Sequence, residues 1–301
     1  MTIFGAIEAG GTKFVCAVGS SSGGSLRSAT IPTRDPDSTF ADVAAFFSAA
    51  RDLGSIAGLG IASFGPVRVN PASPQYGRIL ATPKPGWEGT DMIARARAFL
   101  DVPIGLDTDV NAAALAELAA IGAGLQHLAY VTVGTGIGVG LVSAGRSVHG
   151  IGHPEAGHIP VRRHAAHGDF AGLCPFHGDC LEGLAAGPAV AAAWNVTPSH
   201  IPEEHPFWEV EASYLAQLCA SLFLTTGPER IVLGGGVMKQ ERLLPLIRGH
   251  TRELLGGYVD ALRSIEDVER AIVPPACAEP SGLVGAFLLA ERSTRSETRG
   301  G

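Results

Sequence analysis

The chain has little of what a nucleic-acid partner would need. It carries 22 Lys and Arg residues against 29 Asp and Glu, which gives a formal net charge of −7, and its basic residues form no cluster. Binding to phosphate backbones normally requires a basic stripe that displaces counterions. The composition therefore argues against nucleic acid as the principal partner and favours a small molecule.

Long apolar runs and a leader-like start are also absent from the sequence. No apolar run approaches the roughly 18 to 20 residues that a membrane-spanning helix needs. Met1 leads directly into a strand-like segment, without the basic start of a signal peptide. We therefore predict a cytoplasmic protein with no membrane partner.

Cysteine is scarce, and its number is odd. Of the five cysteines, Cys16, Cys219 and Cys277 lie in apolar segments that are typical of buried thiols. The other two, Cys174 and Cys180, flank a histidine. Disulfide bonds are therefore not expected.

Three candidate metal ligands occur within seven residues, in the segment Cys174-Pro-Phe-His177-Gly-Asp-Cys180. His158 lies upstream and can complete a tetrahedral set of two sulfur and two nitrogen atoms, which suits Zn²⁺. Such a closed set is usually structural and leaves no open position for a zinc hydrolase. The alternative is a chance cluster of buried thiols and solvated histidines, which the two-residue gaps between the ligands disfavour.

Two carboxylates are interleaved with these ligands. Glu155 precedes His158, and Glu182 follows Cys180. We call residues 153–182 the zinc clamp and predict that it holds these two carboxylates in place.

Three glycine-rich turns could bind phosphate groups. Such turns expose backbone N–H groups without obstruction by Cβ atoms. One turn alone is usually only a tight hairpin, whereas three together suggest a nucleoside triphosphate, although neither the Rossmann nor the Walker A spacing is present. Lys13 is either a phosphate contact or a surface cation. The turns are Gly10-Gly11-Thr12-Lys13, Gly134-Thr135-Gly136-Ile137-Gly138 and Gly234-Gly235-Gly236.

The segment Asp107-Thr-Asp109-Val-Asn111 lies between a short apolar strand and an alanine-rich helix. An acid in this position can simply cap free N–H groups of the helix. Two acids and an amide exceed what one cap requires. We therefore predict that one of the acids is a general base toward an alcohol and that Asn111 positions the substrate. The residues alone do not decide which acid is the base.

Strand and helix patterns alternate in both halves of the 301-residue chain, of which 46% is apolar. In each of two hairpins, at residues 3–18 and 128–142, a glycine turn joins two strands. The second hairpin loosely repeats the first, which indicates an internal repeat in the chain. This pattern indicates an α/β protein with two related domains. Further strands are predicted at 57–64, 104–106 and 230–233, and helices at 110–121, 212–223, 243–255 and 281–291.

Taken together, these motifs resemble the ROK family of sugar kinases, and most closely its bacterial fructokinases. The resemblance extends from about residue 3 to residue 291. The matching motifs are Glu8-Ala-Gly-Gly-Thr-Lys13, Ser63-Phe-Gly-Pro66, Thr82-Pro-Lys-Pro-Gly-Trp87, Asp107-Thr-Asp109-Val-Asn111, Gly134-Thr-Gly-Ile-Gly138, His153-Pro-Glu-Ala-Gly-His158, the cysteine segment and Gly234-Gly-Gly-Val237.

The resemblance implies an actin-like (ribonuclease H-like) ATPase fold with two α/β domains from a duplicated core and a central cleft. We expect a small N-terminal domain of residues 1–108, on which a C-terminal helix at about 281–291 packs. The large domain would comprise residues 109–280 and contain the zinc clamp.

The resemblance also implies a role for each matched residue. Asp109 would be the base that acts on the sugar hydroxyl. The sugar contacts would be Asn111, Glu155, His158 and Glu182. The zinc ligands would be His158, Cys174, His177 and Cys180. The phosphates and nucleoside would be bound by Gly10, Gly11, Thr12, Lys13, Gly134, Thr135, Gly136, Gly235 and Gly236.

The implied reaction is the ATP- and Mg²⁺-dependent phosphorylation of D-fructose to fructose 6-phosphate by a homodimer with a structural Zn²⁺. One alternative is a broader hexokinase that acts on glucose, mannose or an N-acetylated hexosamine. Another is a non-catalytic, sugar-sensing ROK protein. ROK repressors carry an N-terminal helix-turn-helix, for which the first predicted strand at Ile3 leaves no room.

The sequence departs from the commonest family pattern at three places. Glu8 stands where many members have Asp, and its longer side chain could change how Mg²⁺ is approached. The Cys-x₂-His-x₂-Cys spacing is typical of the fructokinase branch. Pro83 and Lys84 occupy the region where glucokinase-like members have an Asn, which disfavours glucose.

Overall fold

A computed structural model describes residues 2–122, 124–196, 201–202 and 204–297. The strands are β1 (Ile3–Ala9), β2 (Lys13–Ser20), β3 (Gly24–Pro32), β4 (Ile56–Ser63), β5 (Ile104–Thr108), β6 (Leu128–Val133), β7 (Ile137–Ser143), β8 (Arg146–Ser147), β9 (Arg230–Gly234) and β10 (Ile272–Val273). The α-helices are α1 (Pro36–Ala49), α2 (Met92–Arg97), α3 (Asp109–Ile121), α4 (Leu181–Ala185), α5 (Gly187–Trp194), α6 (Phe207–Thr225), α7 (Leu243–Leu255), α8 (Ile265–Ala271) and α9 (Ser281–Glu297). None of the helices in the described residues is long and apolar enough to cross a membrane.

The strands form two five-stranded sheets with matching topology. The first sheet has the order β3-β2-β1-β4-β5, and the second has the order β10-β9-β6-β7-β8. In the first sheet β1 pairs antiparallel with β2 and parallel with β4. In the second sheet β6 pairs antiparallel with β7 and parallel with β9. The internal repeat predicted from the two glycine-turn hairpins is therefore confirmed.

The chain divides into two compact units. The first comprises residues 1–122, 146–153 and 276–301, and the second comprises residues 123–145 and 154–275. The sequence instead suggested a boundary between residues 108 and 109, before α3. The division places α3 in the first unit together with α9.

Close packing between helices and sheet explains why α3 and α9 stay with the first unit. A Cβ atom on Gly60 of β4 would collide with the carbonyl group of Ala286 in α9, and one on Gly285 would collide with the carbonyl group of Ala112 in α3. Glycine thus lets the backbone of α9 lie directly against both β4 and α3. Helix α3 is itself buried at every residue from Val110 to Glu117.

Helix α9 is longer than predicted. The sequence after residue 291 is polar and suggested an end there, but the helix continues to Glu297. The methyl group of Thr294 still lies over the sheet, because a Cβ on Gly58 would come within 2.8 Å of it. Contact with β4 therefore extends the helix through a polar stretch.

The core of the first unit is centred on the indole of Trp87, which is completely buried. Its ring packs against Phe14, Phe40 and Phe64, with centroids 5.3–6.3 Å apart. The indole N–H donates to the carbonyl oxygen of Arg34 at 2.8 Å. This packing lies against β2, which follows the first glycine turn, and against the end of β4.

Candidate active site and metal centre

The four predicted zinc ligands meet in the second unit. His158 ends a short 3₁₀ turn (Ala156–His158), and the cysteine segment forms a tight loop in which Cys174 and Gly178 exchange backbone hydrogen bonds of 3.1 and 2.9 Å. The ligand atoms of His158, Cys174, His177 and Cys180 all lie within 4.8 Å of one another. Both cysteines are buried, whereas His177 is exposed.

The spacing of these atoms fits a tetrahedral zinc ion. Bonds of about 2.3 Å to sulfur and 2.05 Å to nitrogen, at tetrahedral angles, place the two atoms about 3.6 Å apart. The Sγ of Cys174 lies 3.6 Å from Nδ1 of both His158 and His177, and the Sγ of Cys180 lies 3.5 Å from Nδ1 of His158. The donor atoms are therefore suitably arranged to hold Zn²⁺ through the Nδ1 atoms of the histidines.

The clamp is directly connected to the second glycine turn. The backbone N–H of Ile137, just after that turn, donates to Oε2 of Glu182 at 2.9 Å. The N–H of Gly187 donates to the carbonyl oxygen of Gly134 at 2.8 Å. A Cβ on Gly157 would collide with the carbonyl oxygen of Ile137. Gly157 and Glu182 of the clamp and Gly187, just after it, therefore all lie against the turn between β6 and β7.

Glu155 and Glu182 are the two glutamates of the clamp. Oε1 of Glu182 is 3.8 Å from Nε2 of His158, the ring nitrogen that does not face the cysteines. Burial raises the pKa of Glu155 to about 7, and the negative charge of Glu182 adds to this shift. The structure thus brings Glu155, His158 and Glu182 into one electrostatic group.

The second and third glycine turns lie next to each other. Gly134 donates through its N–H to the carbonyl oxygen of Gly136 at 2.9 Å, which closes the turn between β6 and β7. Gly235 has a φ of +95°, and a Cβ there would collide with the backbone of Val133 at the end of β6. Gly236 follows directly, and a Cβ on Gly134 would lie 4.0 Å from its nitrogen. The predicted nucleotide residues of the second unit are therefore neighbours.

The first glycine turn belongs to the first unit. Gly10 donates to the carbonyl oxygen of Lys13 at 3.0 Å, and the hydroxyl of Thr33 donates to the carbonyl oxygen of Gly10 at 2.8 Å. These bonds fix the turn, while Gly11, Thr12 and Lys13 are exposed. Their groups are accessible to a ligand.

Glu8 lies just before this turn, near the start of α9. A Cβ on Gly282 would come into contact with its carboxyl group. Burial raises the pKa of Glu8, and the charge of Lys13 partly opposes this shift.

The Asp107–Asn111 segment forms the junction between β5 and α3. The hydroxyl of Thr108 accepts from the N–H of Asn111 at 3.1 Å and so caps the helix. Asp109 is the first helical residue, is partly exposed, and accepts the N–H of Val110 at 2.9 Å through Oδ1. Of the two acids, only Asp109 has appreciable exposed surface, since Asp107 is 2% exposed. Asp109 is thus the acid that a ligand can reach.

Asn111 has a different environment from the one predicted. It is completely buried, and its side-chain amide donates to Oδ1 of Asp107 at 2.9 Å. It therefore has no exposed surface through which to meet a sugar in this structure.

A further residue at this junction, His149, was not predicted from the sequence. Its Nε2 lies 3.0 Å from Oδ1 of Asp107. His149 is 42 positions away along the chain and belongs to no motif, so no local spacing could have identified it.

Residues 4–293 match the family model described as "ROK family". The chain belongs to the ROK family. It is 41% identical over 300 residues to a putative fructokinase of Bacillus subtilis, covering 99% of each chain. It is 38% identical over 295 residues to a fructokinase of Pediococcus pentosaceus, covering 98% of this chain and 99% of that one.

The same relationship holds at the level of structure. The crystal structure of a ROK hexokinase from Thermus thermophilus superposes with a TM-score of 0.76 at 25% identity, covering 100% of both chains. Membership of the ROK family and the actin-like fold, both predicted from the motifs, are thereby confirmed.

Proposed function

We propose that this ROK protein is a fructokinase, which transfers the γ-phosphoryl group of MgATP to the 6-hydroxyl of D-fructose. The observation that carries the proposal is the end-to-end likeness to proteins named fructokinases, at about 40% identity. The arrangement of carboxylates, glycine turns and clamp supports it, because phosphoryl transfer depends mainly on positioning and charge neutralisation.

Asp109 is the proposed general base. Its partly exposed carboxylate stands at the first residue of a 13-residue helix, where the helix dipole favours a negative charge. As the hydroxyl oxygen of fructose attacks the γ-phosphorus, Asp109 accepts its proton late in the step. The products are fructose 6-phosphate and ADP.

Glu155, His158 and Glu182 are the proposed sugar contacts. The Nδ1 of His158 faces the cysteines, which leaves its Nε2 on the side of Glu182. A zinc ion held by His158, Cys174, His177 and Cys180 would supply a rigid anchor that fixes the orientation of the imidazole. The family resemblance implied that Asn111 is a fourth sugar contact. We instead propose that Asn111 supports Asp107 through its hydrogen bond.

The glycine turns are the proposed binding elements for MgATP. The turns at residues 10–13 and 134–136 would receive the phosphates, with Gly11, Thr12, Lys13 and Thr135 as their exposed residues. Gly235 and Gly236 would lie under the nucleoside. Mg²⁺ that arrives with ATP neutralises charge on the phosphates. The predicted cytoplasmic location and homodimeric state stay predictions.

A broader hexokinase is the second candidate, since the protein of matching structure is named a hexokinase. The deciding experiment is ATP-dependent ADP release with Mg²⁺ against fructose, glucose, mannose and N-acetylated hexosamines, with a control lacking sugar. A kcat/KM for fructose at least about tenfold above the others, or about 1.4 kcal/mol of discrimination, supports the fructokinase. Even activity on all sugars indicates the broader enzyme, and binding of a sugar without turnover indicates a sensor.

A further inference from the structure

Asp107 is a buried carboxylate that accepts several hydrogen bonds. Its side chain is 4% exposed. Oδ1 accepts from the backbone N–H of Thr108 at 2.8 Å and from the amide of Asn111 at 2.9 Å. Burying a carboxyl group is unfavourable unless such partners compensate. Because the carboxyl group of Asp107 is unfavourable to bury and does not reach solvent, we expect it to have a structural role within the junction between β5 and α3.

His149 supplies a partner from a different part of the chain. Its Nε2 lies 3.0 Å from Oδ1 and 3.1 Å from Oδ2 of Asp107. The hydrogen bond to Asp107 raises the pKa of His149, while partial burial opposes the shift. The segment that follows β8 is thereby attached to the end of β5.

Further charged and titratable groups lie near Asp107. Burial lowers the pKa of Arg292 in α9, and the charge of Asp107 partly opposes this shift. Tyr76 accepts the N–H of Leu106 at 2.7 Å and donates to its carbonyl oxygen at 2.8 Å. Burial raises the pKa of Tyr76 to about 12, and Asp107 adds to the shift. The backbone of Leu106, the residue before Asp107, is therefore held in place by the hydroxyl of Tyr76.

We infer that Asp107 and His149 are positioning residues for the general base Asp109, an inference that rests on the proposed function. Asp107 fixes the N–H of Thr108, and Thr108 in turn caps the helix that begins at Asp109. The carboxylate of Asp109 is thus oriented by a turn that Asp107, Asn111 and His149 hold together. Asp107 and His149 act through this turn and do not touch the substrate.

A loss of this support displaces the base without removing it. Misplacement of a reacting group by about 1 Å can cost a hundredfold in rate. We therefore expect His149→Phe, which keeps a ring and removes the donor, to lower kcat by about tenfold or more. The KM for ATP changes by less than about twofold, because the first glycine turn does not depend on His149. His149→Gln keeps an N–H donor and recovers part of the lost kcat.

The chain offers a matched control in His250 of α7. Its Nε2 lies 2.9 Å from Oε2 of Glu209, and its side chain is 31% exposed, compared with 29% for His149. His250→Phe removes an equally exposed histidine, whose carboxylate partner Glu209 is 56% exposed and, unlike Asp107, lies on the surface. It should leave kcat unchanged, and thermal unfolding of each variant checks that the fold is intact.

A second measurement tests the pair without relying on turnover. The pKa of His149 is followed by NMR in the wild type and in Asp107→Asn, which retains the shape of the side chain and loses its charge. We expect the pKa to fall toward the ordinary histidine value of about 6.5 in the variant. An unchanged pKa would show that the two side chains are not paired in solution.

The outcomes separate this inference from the proposed function. A wild type that turns over no sugar overturns the proposed function. A wild type that turns over fructose, together with a His149→Phe variant of equal kcat, overturns the positioning role alone. A fall in kcat that His149→Gln does not recover at all also contradicts it, because the donor would then be irrelevant.

Discussion

Glu182 uses its two carboxylate oxygens for two different partners: Oε2 accepts the N–H of Ile137 at 2.9 Å, and Oε1 lies 3.8 Å from Nε2 of His158. Ile137 follows the glycine turn proposed to bind phosphates, and His158 is a proposed zinc ligand. A single side chain therefore connects the metal site to the nucleotide turn. A substitution in the clamp should therefore weaken ATP binding as well as sugar binding.

Glu182→Ala is expected to weaken binding of a non-hydrolysable MgATP analogue by about tenfold, or about 1.4 kcal/mol. A hydrogen bond between a charged group and a backbone N–H is worth about 1.5 to 3 kcal/mol, and its loss frees the turn. Glu182→Gln keeps an acceptor for Ile137 and should lose less. Isothermal titration calorimetry measures both dissociation constants.

Glu229 provides a control for this experiment. Its carboxylate also accepts backbone N–H groups, those of Gln126 and His127 at 2.7 and 2.9 Å, but it does not touch the glycine turn. Glu229→Ala should leave the affinity for the analogue unchanged. Equal affinities of wild type and Glu182→Ala would show that the turn keeps its shape without Glu182.

The clamp is expected to contain about one zinc ion per chain and to lose it on substitution of a ligand. Cys174→Ser should abolish the bound zinc and lower the Tm, because binding of a structural metal contributes directly to folding free energy. Metal analysis and thermal unfolding provide the measurements. Cys277→Ala, which removes a half-buried thiol from the first unit, should keep the zinc content of the wild type.

Wild-type protein that contains no zinc after purification without chelator, and whose Tm is insensitive to added Zn²⁺, would contradict the metal assignment. The Cys174 and Cys180 thiols would then be an ordinary buried pair. The S–N spacings of 3.5 and 3.6 Å would in that case reflect packing alone.

Those parts of the fold that depend on local patterns were predictable from the sequence. The helix predicted at 243–255 is α7, with the same bounds. In contrast, β3 was missed, because its residues GSLRSATIP contain only three apolar residues besides Gly and Pro and lie on the edge of the first sheet. The extent of α9 was also missed, since its last turns are polar and are held by contact with β4, which a local pattern does not record.

The candidate site divides in the same way. The clamp ligands are close in sequence, so their spacing was enough to propose a metal site. The burial of Asn111 and its bond to Asp107 depend on how α3 packs, and the partner His149 comes from 42 positions away. Such contacts are set by the tertiary fold, and no spacing in a single sequence encodes them.

Asp109→Asn is expected to lower kcat by roughly 100-fold or more, which is within the usual contribution of a general base. The amide has nearly the same shape but cannot accept the proton of the sugar hydroxyl. Binding of the MgATP analogue should be retained. Asp101→Asn, at an exposed position before β5, serves as the control and should keep the wild-type kcat. Near-wild-type turnover by Asp109→Asn would remove Asp109 from the role of base.

Two glycine-to-alanine substitutions in helices should have opposite effects on stability. A Cβ on Gly285 of α9 would collide with the carbonyl group of Ala112, so Gly285→Ala should cost about 1 to 3 kcal/mol or more by overpacking. Around Gly249 of α7, no atom of the described residues beyond the adjoining helix backbone would lie within 4 Å of an added Cβ. There the higher helix propensity of alanine should stabilise by about 0.5 to 1 kcal/mol. Thermal unfolding that shows the same sign for both variants would contradict the close packing of α9 on α3.

Glu211 of α6 should make the stability of the protein depend on pH. Its side chain is buried, and Oε1 has no hydrogen-bond partner within the described part of the chain. Burial raises the pKa of Glu211 well above its ordinary value of 4.5. At a pH below 4.5 both the folded and the unfolded chain hold the proton, so the shift has no effect. Above 4.5 the unfolded chain releases the proton while the folded chain retains it, and folding is increasingly penalised as the pH rises.

Glu211→Gln removes this titration. The difference in Tm between variant and wild type should therefore be smallest near pH 4 and should grow in favour of the variant as the pH rises toward 8. Glu209→Gln on the same helix is the control, because the Glu209 side chain is 56% exposed and its change in Tm should show no comparable rise. A difference for Glu211→Gln that stays constant from pH 4 to pH 8 would mean that Glu211 ionises over the same pH range in the folded and the unfolded chain, so that burial does not raise its pKa.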